Sequence, residues 1–172
     1  MVLAARGRAR SVVALAPAGG WAEGDESCRE VLDLQAELQR QLRALAPHAG
    51  AIAATPEGRR RATRLLTVEW EHIPAGLVAH QMIGAARCVA AGALIEQARR
   101  ERWRVEPERI ACPVRVVWGT HDRMLPWPSS AACFRSRWLP HADWVVLDGV
   151  GHCPQLDRPL ETAELILGLT AG

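Results

Sequence analysis

Two segments decide the fold: Val114-Arg115-Val116-Val117-Trp118-Gly119-Thr120-His121-Asp122 and Trp144-Val145-Val146-Leu147-Asp148-Gly149-Val150-Gly151-His152. Each is a short, largely β-branched run that ends in glycine and then in a titratable side chain. Apolar runs of this length bounded by Gly and Pro predict buried strands of a parallel sheet. In open α/β sheets the reactive groups lie just beyond the carboxyl ends of the strands. An acid, Asp122, and an imidazole, His152, are therefore expected at the same edge of one sheet, where a carboxylate can orient a histidine ring.

Working outward, Ser129 or Ser130 is expected to start a short helix running to about Arg137, which Leu139-Pro140 ends. Asp157 can cap a final helix with Pro159 in its first turn, and Leu160, Ala163, Ile166 and Leu167 would pack that helix on the sheet. Upstream, Ser11 to Ala16 reads as a third strand, with Pro17-Ala18-Gly19-Gly20 as its exit turn. Residues 1–10 read as the tail of a helix stopped at Gly7.

Between these parts lies a stretch of different composition with no strand-like run. Ser27-Cys28-Arg29-Glu30 has the form of a capping box, and Val31, Leu34, Leu38, Leu42 and Leu45 follow at helical spacing. Thr55-Pro56-Glu57 opens a second helix with Pro in its first position. Pro74 marks a third, whose buried face is traced by Val78, Met82, Ala85, Val89 and Ala93 and which is broken at Gly84 or Gly92. The expected organisation is an α/β core built from residues 1–20 and 107–172, with a helical insertion over 21–106.

The pair of strand ends, with an acid after the first and Gly-Val-Gly-His-Cys-Pro after the second, resembles the C-terminal part of the α/β-hydrolase fold. The triad of that family runs nucleophile, acid, histidine along the chain. The resemblance implies that Asp122 is the triad acid, His152 its histidine and residues 21–106 the helical cap. It also implies hydrolysis of an ester or related bond in a small apolar substrate, without metal or organic cofactor. Asp148 and Asp157 are rival acids and read as turn and cap residues. No Gly-x-Ser-x-Gly occurs: Ser11, Ser27, Ser129, Ser130 and Ser136 all lack the strand-to-helix setting, as do the cysteines and aspartates. In the family that material precedes the residues seen here. The chain is thus expected to be the back half of a hydrolase, inactive by itself, with its nucleophile (Ser, Asp or Cys) left open.

Trp21 and Trp127, just after strand ends, and Trp70 and Met82, in the helical insertion, are candidates for an apolar substrate pocket; packing between cap and core is the competing reading. His121, Asp122, Cys133, His141, His152 and Cys153 could ligate a metal, but their spacings match no zinc pattern. The arginine clusters at 59–64 and 99–104 alternate with apolar residues at helical spacing, as solvated helix faces do. With a net charge of +2, nucleic acid is not an expected partner.

The chain has 172 residues, 49% hydrophobic and 23% charged, the proportions of a globular domain. Every basic residue is arginine, and Lys, Asn and Tyr are absent. Five dispersed cysteines without Cys-x-x-Cys favour reduced thiols and a cytoplasmic location. A secretory signal over the first 20 residues competes with the strand at 11–16. No window reaches 18 apolar residues, so no membrane span is expected. The strand at 11–16 leaves an edge open to self-association or to pairing with a missing N-terminal half. A non-catalytic interaction module is therefore the alternative function.

Overall fold

The structure is a computed structural model that describes residues 7–101 and 105–170. Most of the expected helix tail at the N-terminus lies outside the described residues. Three strands form one parallel sheet in the order β1 (Val12–Leu15), β2 (Val114–Gly119), β3 (Asp143–Leu147). The register places Val12 opposite Val114, Leu15 opposite Val117, and Gly119 opposite Leu147. The fold class is α/β. The middle strand is covered on both faces, which is why its apolar run is unbroken: Val116, Val117 and Trp118 are fully buried. Its one charged member, Arg115, is satisfied sideways by Asp143 on β3 at 2.6 Å and by the Leu165 carbonyl.

The chain divides into two compact units, one of Met1–Asp25, Leu66–Val68 and Trp103–Gly172, the other of Glu26–Leu65 and Glu69–Arg102. The expected insertion at 21–106 is thus trimmed at its ends and interrupted by a three-residue strap, Leu66–Val68, that belongs with the sheet. The strap is held by backbone bonds, Cys153 N–H to the Leu66 carbonyl at 2.7 Å among them. Side-chain periodicity carries no trace of such bonds.

The helical unit contains α1 (Ser27–Leu45), α2 (Ala49–Ala54), α3 (Pro56–Thr63), α4 (Ala75–Ala86) and α5 (Ala91–Arg100). Thr55 caps α3 as expected, accepting the Gly58 N–H at 3.0 Å, with Pro56 in the first position. Two readings are corrected. Ser27 is the first residue of α1 rather than its cap, which is Glu26, so the capping box is not formed. The long third helix breaks at Arg87–Ala90 rather than at either glycine, leaving Val89 almost fully exposed. Ala49, Ala53, Ile73, Val78 and Met82 form the buried interior of this unit.

In the sheet unit, the expected helix after Ser129 is a 3₁₀ turn (Ser129–Ala131) followed by a π-helical turn (Phe134–Trp138). After β3 come a single turn, α6 (Pro154–Asp157), and the final helix, α7 (Pro159–Thr170). The inward face of α7 is not the expected one. Leu160 and Leu167 are mostly exposed, whereas Thr162 is buried and Leu165 packs on Val117, Leu147 and Val150. Apolar residues on several sides of α7 left its rotation open to the tertiary contacts. Among the described residues no single helix is long and apolar enough to cross a membrane.

Candidate active site

Asp122 follows β2 in the sequence Thr-His-Asp-Arg-Met-Leu, and its carboxylate is used on both oxygens. Oδ1 accepts the backbone N–H groups of Met124 at 2.9 Å and Leu125 at 2.7 Å, an Asx-type turn that fixes the side chain. Leu125 is itself locked, because its carbonyl accepts the indole N–H of the fully buried Trp118 at 3.0 Å. Oδ2 is left to face His152 Nδ1 at 2.9 Å. The carboxylate has no exposed side-chain surface and the imidazole retains 18%. A carboxylate only accepts, so Nδ1 carries the proton of this bond, and in the neutral ring Nε2 is left with its lone pair.

His152 is brought to Asp122 by the turn after β3. This turn lies directly on the end of β2: His121 N–H donates to the Val150 carbonyl at 2.9 Å and Thr120 N–H to the Leu147 carbonyl at 3.0 Å. The contact requires Gly119, since a Cβ there would lie 2.1 Å from the Val150 oxygen and 2.5 Å from that of Gly151. Gly151 is less crowded but still tight; a Cβ would meet the Leu66 oxygen at 3.0 Å and Asp157 Oδ2 at 3.1 Å. The two glycines that bound the motifs in the sequence are thus places where backbone meets backbone.

Asp148 behaves as a turn residue, accepting the Thr120 hydroxyl at 3.0 Å. Asp157 does not serve as the expected cap of α7. It is buried, and its carboxylate accepts the Gly151 N–H at 2.7 Å, the Val68 N–H at 2.9 Å and the Thr67 hydroxyl. Sequence reasoning missed this role; the only hint was an acid five residues after His152 in a stretch too short for a regular helix. Cys153, beside His152, has a thiol pushed up to about 11 by burial, with the Asp122 and Asp157 carboxylates adding to the rise. A thiol held neutral in this way is a poor nucleophile.

The proposed pocket residues divide between the units. Trp21 is buried in the sheet unit, with its indole N–H unpaired among the described residues. Trp127 is engaged by other groups: ring centroids of Trp118 and Trp144 lie 6.1 and 6.2 Å away, and the Arg135 guanidinium is 5.1 Å from its ring. In the helical unit Met82 is buried in α4, and Trp70 lies 6.0 Å from the Arg59 guanidinium. Among the described residues no group of three or more His, Cys, Asp or Glu side chains is arranged to hold a metal ion.

A parallel sheet with a carboxylate and an imidazole in contact beyond adjacent strand ends defines a class of α/β protein, and comparison with known proteins gives that class its name. Residues 1–165 match the model of the Alpha/beta hydrolase family, and the chain belongs to that family. Over 167 residues it is 35% identical to the epoxide hydrolase EphH of Mycobacterium tuberculosis, a match that covers 94% of this chain and 75% of that protein. Among solved structures it is similar to a membrane phospholipase A, described as a bacterial virulence factor (26% identity, TM-score 0.64, 99% of this chain and 52% of that one). It also shares its fold with the meta-cleavage product hydrolase of Pseudomonas fluorescens IP01 (15% identity, TM-score 0.59, 99% and 59%). The chain spans little more than half the length of these solved structures.

Proposed function

We propose that the chain carries the proton-handling arm of a hydrolase acting on a small apolar molecule, with His152 as general base and acid and Asp122 as its orienter. The observation behind this reading is the 2.9 Å contact between Asp122 Oδ2 and His152 Nδ1. With Nδ1–H committed to the carboxylate, Nε2 accepts the proton of the attacking group, and Asp122 stabilises the imidazolium that forms. The ring then returns the proton to the leaving oxygen. These transfers need only protein groups, without metal or organic cofactor. The bond is an ester or a related one. An epoxide is the first class to test, supported by the 35% identity to a protein named as an epoxide hydrolase.

The attacking atom, in this reading, comes from outside these residues, on the same polypeptide or another chain, so the isolated 172 residues do not turn over substrate. Three facts support it. Ser11 precedes β1 rather than following a strand; Ser27, Ser129, Ser130 and Ser136 lie in helical turns; and the Cys153 thiol is held neutral. The helical unit is read as the cap, and the buried, unpaired indole of Trp21 supports that residue as part of the pocket wall. Five cysteines outside any disulfide among the described residues support a cytoplasmic location.

The test is a chimera in which this chain replaces the matched three-quarters of the Mycobacterium tuberculosis relative. It is expected to hydrolyse an aryl epoxide or an activated aryl ester and to lose that activity with His152→Ala; equal activity in the variant would sink the assignment. The isolated chain is expected to take up no serine-reactive fluorophosphonate, and stoichiometric labelling would reveal a nucleophile among these residues.

One observation favours a second reading. β1 pairs only with β2, and its other edge carries no strand among the described residues. A non-catalytic module that pairs through this edge, with itself or with another segment, would form oligomers disrupted by Val13→Pro. A monomer at all concentrations in light scattering counts against it.

A further inference from the structure

We infer that Asp157 is a positioning residue for His152, acting through the backbone on either side of the imidazole. This rests on the reading of His152 as the general base. The carboxylate is buried, and three donors converge on it. Gly151 N–H reaches Oδ2 at 2.7 Å, and Val68 N–H reaches Oδ1 at 2.9 Å together with the Thr67 hydroxyl. The strap that supplies two of these donors supplies a further bond in the opposite sense, its Leu66 carbonyl accepting the Cys153 N–H at 2.7 Å. The residues before and after His152 are therefore both tied to Leu66–Val68, one through Asp157 and one directly. Asp122 fixes the ring itself, at Nδ1. Held at three places, the imidazole keeps its Nδ1 on Asp122 without relying on that single hydrogen bond.

The arrangement calls for an acid. An ionised carboxylate accepts at both oxygens and donates nothing, which suits three donors. Asparagine would turn an NH₂ group toward either Gly151 N–H or Val68 N–H, setting donor against donor in a buried place. Its cost falls on the Gly151–Cys153 turn, which the Gly151 bond holds in place.

The experiment reads His152 directly. In the full ¹⁵N-labelled chain, the Nδ1 proton held by Asp122 should give a far-downfield ¹H signal, assigned by its loss in His152→Gln. In Asp157→Asn the signal is expected to exchange with water at least tenfold faster or to broaden away. In the chimera, kcat is expected to fall 10- to 100-fold with KM changed less than twofold. Asp157→Glu, which keeps the charge, should recover part of both. If Asp157→Asn does not fold, Thr67→Val removes one of these bonds and should shift the exchange rate in the same direction, by less. A folded Asp157→Asn or Thr67→Val with an unchanged signal and exchange rate overturns the inference. No downfield signal in the unmodified chain overturns the Asp122–His152 pairing itself, a different result from failure at Asp157.

Discussion

Oδ2 of Asp122 and Nδ1 of His152 stand 2.9 Å apart, one just beyond the end of β2 and the other on the turn after β3, with the carboxylate wholly enclosed and the ring partly open. This difference in exposure suits the roles proposed above, since an orienting acid is shielded so that its charge acts on the ring and a general base must reach a reacting atom.

Asp122→Asn keeps the size of the acid and its Asx turn but can present an amide N–H to Nδ1, which then favours the wrong tautomer. Turnover in the chimera is expected to fall by roughly 100- to 10,000-fold with little change in thermal stability. Steady-state kinetics beside a melting curve separate the two effects. A variant within fivefold of the parent would remove Asp122 from the mechanism.

Gly119→Ala places a methyl group 2.1 Å from the Val150 oxygen, where the obstacle is backbone and cannot swing aside. The expected loss is about 1–3 kcal/mol from overpacking alone, together with separation of His152 from Asp122. Urea denaturation measures the first and the downfield proton signal the second. Gly50→Ala, where a Cβ meets nothing within 4 Å, serves as the control.

The Cys153 thiol offers a pH test, because the chain has neither lysine nor tyrosine and the side chains that share its range are the other four thiols, which Cys153→Ala leaves in place as the background. Its folded value, about 11, lies above the ordinary 9.0, so the folded chain holds the proton more tightly than the unfolded one. The contribution is fully present below about pH 9 and is lost as pH rises through about 11, on the order of 2 kcal/mol. Urea midpoints between pH 8.5 and 11 should fall, and Cys153→Ala should flatten the fall. In the folded chain at pH 8, iodoacetamide is expected to modify the exposed Cys88 well before Cys153.

Trp127→Ala removes a ring that touches Trp118, Trp144 and Arg135. A half-buried aromatic with three such partners is expected to cost about 2–4 kcal/mol of stability, while KM in the chimera changes less than twofold. Unchanged stability with a several-fold higher KM would place Trp127 in the substrate pocket.

Much of the fold was legible because strand signals are local. Val114–Gly119 and Asp143–Leu147 are rich in β-branched residues and are closed by a glycine at or just beyond their ends, and no other segment near them could pass for a strand. Helix starts at Thr55-Pro56 and Pro74 were equally plain, since a cap and a proline act within one turn. The misreadings were those in which a neighbour distant in sequence chooses. Ser27 has the look of a cap, yet the helix starts with it. Leu160 and Leu167 were expected inside, yet Thr162 and Leu165 face the sheet. Asp157 reads as a cap in any list of turn residues, and only its three donors, two of them from a strap 89 and 90 positions away, show otherwise.

By itself the sequence determined the strands, their parallel α/β arrangement and the residue types at their ends, because β-branching, glycine and proline act over a few bonds. Tertiary structure alone decided how the Asp122 carboxylate divides its two oxygens, what the Asp157 carboxylate holds and where the helical region is interrupted. Those outcomes depend on the approach of segments far apart along the chain, where a hydrogen bond a few ångströms long separates an orienting carboxylate from a bystander.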